Sequence, residues 1–161
     1  MNIRQATPGD REAFIGFAEK LSGFNRKNHP DASKQDDYQA VLAAIRQRAA
    51  ETFDSPCEDT LILMAEESGQ PLGYALGRIY EEDPCADNGT GRTGLFDELY
   101  VDASARGCGL GQKLLDEIMA WFASKGIRRV KLHAYSWNTT AREIYKRNGF
   151  EEYAVSYEKH F

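Results

Sequence analysis

The stretch that most constrains the fold is "RGCGLG", Arg106 to Gly111, a turn with glycine at every second position. It follows "LFDELYV", which reads as a strand, and precedes "QKLLDEIMAWFASKG", whose apolar residues recur at helical spacing. The segment must therefore seat a helix N-terminus at the end of a strand, on bare backbone. Such a terminus exposes unpaired N–H groups and the positive end of a dipole, so it attracts anions. Glycine lets a bulky phosphate reach the backbone, and Arg106 can fork two phosphate oxygens. The competing reading is a tight strand-to-helix connection that uses glycine only for its geometry; three glycines with an arginine favour the anion. Nucleotide motifs do not fit. A Walker loop needs Lys-Ser or Lys-Thr after its last glycine, where this chain has Gln112-Lys113-Leu114, and a dinucleotide fingerprint needs GxGxxG near the first strand.

Around this turn the chain divides into short elements. "NIRQA" is a first strand; "TPGD" starts a helix with Thr7 as cap, Pro8 at the first position and Asp10 in the first turn. Ala13, Phe14, Phe17 and Leu21 carry that helix to about Leu21, and Ser22 to Lys34 reads as a loop. Tyr38, Val41, Leu42, Ile45, Ala49 and Phe53 mark a second helix. "TLILMAE" and "LGYALGRIY" form an antiparallel pair about "ESGQP", followed by a long polar loop to about Gly94. After the glycine turn, a helix from about Gly109 to Lys125 ends at Gly126. "RRVKLHAY" is a strand, Asn138 caps a last helix stopped by Gly149, and "FEEYAVSYEK" closes as a strand. The order β-α-α-β-β-β-α-β-α-β predicts an α/β fold of the α+β type, a mixed, mostly antiparallel sheet flanked by helices.

A chain of 161 residues suits a single domain over 1–161. The net charge of −5 argues against a nucleic-acid partner, and no apolar run is long enough for a membrane span. The N-terminus lacks a signal-peptide core, and Cys57, Cys85 and Cys108 are odd in number without a CxxC, so neither disulfides nor a metal site is expected. The expected setting is a reducing cytoplasm; a homodimer is left open.

Two segments together resemble a known family. Strand, "RGCGLG" and amphipathic helix are similar to the Arg/Gln-x-x-Gly-x-Gly/Ala motif of the GNAT N-acetyltransferases. Downstream, "NTTAREIYKRNGF" resembles their Asn-x-x-Ala-x-x-x-Tyr-x-x-x-Gly-Phe segment at Asn138, Ala141, Tyr145, Gly149 and Phe150. The resemblance implies a GNAT fold with acetyl-coenzyme A as cosubstrate and no metal. Its pyrophosphate is expected at Arg106, Gly107, Cys108, Gly109, Leu110, Gly111 and Gln112, and its pantetheine along Leu99, Tyr100 and Val101, with Asn138, Ala141 and Tyr145 opposite. Cys108 departs from the family, which often carries a basic residue there.

Acyl transfer to an amine needs a neutral nitrogen, donors for the oxyanion and a proton for the departing thiolate. The resemblance gives the last role to Tyr145; a packed core tyrosine is the plainer alternative. For the base, alternation places Glu98 on one face with Phe96 and Tyr100, and Asp97 on the other with Leu95 and Leu99. Glu98 matches the position where the family often has an acid acting directly or through water, although an ion pair with Arg92 or Arg106 is an equal reading. His133 and Tyr135 are weaker candidates; His29 and His160 read as solvated, and Trp137 as packing. The expected activity is acetylation of a primary amine by direct attack in a ternary complex. Glu81, Glu82 and Asp83, with Asp97 and Glu98, point to a small cationic acceptor. The alternatives are a protein amine as acceptor, a non-catalytic acyl-coenzyme A sensor, and, nearly excluded, a nucleotide-binding module.

Overall fold

The computed structural model describes residues 1–29, 37–85 and 91–159. Five strands form one sheet in chain order: β1 (Asn2–Gln5), β2 (Thr60–Glu67), β3 (Gln70–Glu81), β4 (Arg92–Val101) and β5 (Val130–Leu132). All neighbours are antiparallel except β4 and β5, which run parallel. Helices α1 (Arg11–Asn28) and α2 (Tyr38–Asp54) are separated from α3 (Leu110–Ser124) by the sheet, and α4 (Thr139–Arg147) follows β5. The period-two alternation of β2 and β3 sorts the core. Met64, Tyr74 and Leu76 pack on Phe14, Ile15 and Phe17 of α1, while Leu63, Ala65 and Ala75 pack with Leu114, Ile118 and Phe122 of α3. The predicted fold class is borne out.

Local chemistry explains the first turn. The Thr7 N–H and hydroxyl both donate to Asp10 Oδ2, at 2.7 and 2.8 Å, and the Arg4 guanidinium binds the same carboxylate at 2.7 Å. That guanidinium, ahead of the Thr7 bonds, holds the buried Asp10 carboxyl well below the usual carboxylate range.

Four boundaries differ from expectation: to begin with, β4 starts at Arg92, inside the stretch read as a polar loop to about Gly94, because Arg92 to Gly94 pair with the end of β3. Helix α1 runs on through Ser22 to Asn28 instead of stopping near Leu21. Gly23 costs a helix about 1 kcal/mol, but Phe24 offsets it by packing on Trp137 and under Arg106. Strand β5 covers only Val130–Leu132, because His133 to Tyr135 turn to a cavity beside α1. The segment read as a closing strand, 150–159, forms no strand. With β5 so short its outer edge offers no partner, and the alternating Tyr153, Val155 and Tyr157 stay exposed.

One close approach fixes how α3 lies on the sheet. A Cβ on Gly94 would stand 2.8 Å from the Phe122 ring, which is itself 1% exposed and cannot yield. Gly94→Ala is expected to lose about 1–3 kcal/mol by overpacking. Chemical denaturation checks this; a midpoint equal to wild type would show that α3 slides freely.

Candidate active site

Strand β4 carries the site, and a bulge sets what it presents. Leu76 of β3 pairs with Glu98 and Gly77 with Phe96, so Asp97 is an extra residue in β4. Alternation breaks there. Phe96 packs toward α3, whereas Glu98 bonds Tyr74 on the α1–α2 side, and Leu99 and Val101 return to the α3 core. The expected grouping of Glu98 with Phe96, and of Asp97 with Leu99, is thereby corrected: both carboxylates line one cavity. That cavity, about 880 Å³, lies between α1, α2, β4 and the chain after β5, with Asn25, Ile45 and Arg48 on its walls.

Glu98 keeps 15% of its side chain exposed. Its Oε2 accepts from the Tyr74 hydroxyl at 2.5 Å, and Oε1 from Arg48 at 3.3 Å. Neither Arg92 nor Arg106 is its partner: Arg92 binds Asp59, and Arg106 Nε donates to the Val101 carbonyl at 2.9 Å. Burial first, then the Glu98 charge, pushes the Tyr74 phenol well above its ordinary value, so it remains a donor. Asp97 is held by Arg78 at 2.8 Å. Tyr74 and Arg48 were not singled out from sequence. Only the β3–β4 register brings Tyr74 beneath Glu98, and Arg48 looks like any exposed helix arginine.

The strand also offers an open edge. β5 pairs with β4 only from Gly94 to Phe96, so Leu99, Tyr100 and Val101 have no β5 neighbour. Past them, Asp102 caps a short turn through Ser104 and binds Lys20 at 3.0 Å; that ammonium and the Ser104 bonds hold its carboxyl at about 2. Gly107 and Gly109 follow with φ of +81° and +80°, and Gly109 is the N-cap of α3 without a side-chain cap bond. A Cβ at either glycine meets nothing within 4 Å. The α3 N-terminus is thus left bare, with room beside it, as a pyrophosphate requires.

The other predicted residues fall around this groove. Asn138 accepts from the Ala141 N–H at 3.2 Å and caps α4 as expected. Gln112 bonds Asn148 and Asp116 at 2.7 Å, so its side chain ties α3 to α4. Cys108 Sγ donates to the Ala105 carbonyl at 2.9 Å, and Arg106 lies over Phe24 and Tyr100, folded back along the strand instead of forking outward. Tyr145 packs on Phe96 and Phe150, on the opposite face of the sheet from Glu98, and its hydroxyl has no partner among the described residues. Burial raises its pKa, which keeps the phenol protonated through neutral pH. Trp137 stacks on Tyr135, as the packing reading expects, and His133 lines the cavity; His29, read as solvated, is instead half-buried on the cavity wall against the Tyr135 ring. His160 lies outside the described residues.

The bare helix start and the open strand edge lie in succession along the chain from β4 to α3, with Tyr145 packed on Phe96 of the same strand. The profile of the acetyltransferase (GNAT) family matches residues 14–150. The chain belongs to the GNAT acetyltransferase family. It is an acetyl-coenzyme A-dependent N-acetyltransferase domain with that coenzyme as cosubstrate. Among its relatives is an uncharacterized N-acetyltransferase, YhfO, of Bacillus subtilis, 27% identical over 94% of this chain and 91% of that protein. A mycothiol acetyltransferase of Cellulomonas flavigena is 30% identical over 80% of this chain, which spans only 35% of that protein's length. A predicted acetyltransferase with acetyl-CoA from Clostridium acetobutylicum shares the fold at a TM-score of 0.72 and 20% identity, covering 99% of this chain and 95% of that one. No helix among the described residues is long and apolar enough to cross a membrane, and they contain no cluster of acidic, histidine or cysteine side chains able to hold a metal.

Proposed function

We propose that this GNAT domain acetylates a primary amine of a small molecule by direct attack, with Glu98 as general base and Tyr145 as general acid. The observation that carries the reading is the bulge. It sets a carboxylate, clamped by a buried tyrosine, on the floor of a cavity beside the open edge of β4. The cavity volume suits a small molecule.

The coenzyme supplies an acetyl group activated as a thioester. Backbone groups of Leu99, Tyr100 and Val101 align its pantetheine as an added strand, and an N–H of that edge faces the acetyl oxygen. Glu98 takes the proton that the attacking amine sheds as its nitrogen bonds the acetyl carbon. Tyr145 gives a proton to sulfur as the C–S bond breaks. The two groups stand on opposite faces of the sheet, so they serve the two sides of the reacting carbon without exchanging a proton directly.

Glu81 and Glu82 do not offer a free anionic mouth to a purely cationic acceptor. Glu82 is paired with Lys131 at 2.5 Å and Arg129 at 3.0 Å, and Glu81 lies opposite Arg92 at the far end of β4 from Glu98.

Glu98→Gln is expected to lower kcat/KM by about 10²-fold or more at low pH, where the amine arrives protonated. The deficit should shrink as pH rises and free amine accumulates. Rate–pH profiles on an amine panel check this, and a deficit equal at every pH removes Glu98 as base. Coenzyme A binding without acetylation of any amine would instead favour the sensor.

A further inference from the structure

The carboxylate read as the base is occupied on both oxygens, by partners that differ in kind. Tyr74, on Oε2, is 0% exposed, edge-on to Phe14 and stacked on Phe17, so the core holds it in place. Arg48, on Oε1, projects from α2 with 71% of its side chain exposed. A single contact at that separation, with its cation largely in solvent, is weak. Arg48 therefore leaves Glu98 readily when a better-placed anion arrives, while Tyr74 stays.

The remaining cavity charges have a matching pattern. Arg26 and Lys27 of α1 join Arg48 on the wall, against Asp97 and Glu98 on the floor. Both carboxylates already have an arginine, Arg78 on Asp97 and Arg48 on Glu98. In a chain of net charge −5, the described wall of this cavity carries three cations to two anions. A polycation meets no unpaired acid there. An anionic group meets the Arg48 guanidinium, a fork that binds carboxylate and phosphate oxygens two at a time.

We propose that the acceptor is an amine that also carries an anionic group, a carboxylate or a phosphate, and that Arg48 reads that group. The proposal rests on Glu98 being the base of the acetyl transfer inferred above. When the acceptor enters, Arg48 exchanges its hydrogen bond to Oε1 for bonds to the acceptor's anion. Oε1 is then free to take the amine proton, with Oε2 still held by Tyr74. A neutral amine gives Arg48 no other anion to bind, so Oε1 is free for less of the time than with the correct acceptor.

The test uses amines of equal carbon number: aminohexanoate, aminohexyl phosphate, aminohexanamide and diaminohexane. The wild-type protein is expected to use at least one anionic acceptor roughly tenfold better in kcat/KM than the amide or the diamine, about the effect of one charge-assisted hydrogen bond. The ranking of carboxylate against phosphate identifies which anion is read. Arg48→Gln should collapse the anion-to-amide ratio toward one, raising KM for the anionic acceptors while raising kcat for the amide, whose base no longer has Arg48 on Oε1. Calorimetry on the coenzyme A-loaded protein should show the same preference independently of turnover. A wild-type preference for amide or diamine, an unchanged ratio in Arg48→Gln, or no binding of either anionic probe overturns the proposal. Failure of the base assignment looks different: Glu98→Gln then keeps full rate while the anion preference and its loss in Arg48→Gln persist, which removes Glu98 but not the acceptor class.

Discussion

Gly109→Asp is expected to give a folded protein that no longer binds coenzyme A. The position has φ of +80°, which aspartate tolerates better than most residues at a cost of roughly 1 kcal/mol. A Cβ there meets nothing within 4 Å, so the new side chain creates no clash. What changes is the charge at the bare start of α3. A carboxylate there caps the free N–H groups and repels the pyrophosphate that should sit on them. Affinity should fall more than about 100-fold, the combined size of a lost helix-terminus site and a like-charge contact. Gly109→Asn carries the same backbone strain without the charge and should lose much less. Calorimetry on both variants separates the two causes, and wild-type affinity in Gly109→Asp removes the anion site from this turn.

Tyr145→Phe is expected to lower kcat by about 10²-fold or more with little change in KM for acetyl-coenzyme A. The ring contacts with Phe96 and Phe150 are kept, so the melting temperature should hold. Only the proton for the departing thiolate is lost. Because burial raises the phenol above its ordinary value near 10, the wild-type group stays protonated up to that pH, and its contribution fades only above it. Coenzymes whose thiol leaves more readily should narrow the gap between wild type and variant. Full activity in the phenylalanine variant assigns Tyr145 to packing alone.

The glycine turn, the Asn138 cap and the sequence of elements were legible because each depends on local chemistry. Asn138 needs only the N–H three residues ahead, and Gly149 only its own φ of +82°. The closing strand was not legible, because "FEEYAVSYEK" has the pattern of a strand and lacks the partner edge, which is a property of β5. The face of Glu98 was misread for a related reason. Its direction depends on a mismatch between β3 and β4, and β4 alone alternates without a sign of it. Tyr74 and Arg48 reach Glu98 across 24 and 50 residues of chain, so no spacing within the sequence announces them. Arg106 was placed by its charge and sits by its ring contacts.

The extra residue at Asp97 acts as a change of parity along β4. Before it, even-numbered positions belong to the α3 core, as Gly94 and Phe96 do; after it, odd-numbered positions do, as Leu99 and Val101 do. Substitutions that reshape the acceptor cavity must therefore switch from odd to even positions when they cross Asp97. Tyr100 is accordingly the next position from Glu98 at which a new group could be aimed toward the acceptor side without entering the α3 core. Deleting a single residue at the bulge would reverse the assignment of one half of the strand. The acids of this site and the packing beneath them are thus inherited together, through one residue that belongs to neither pattern.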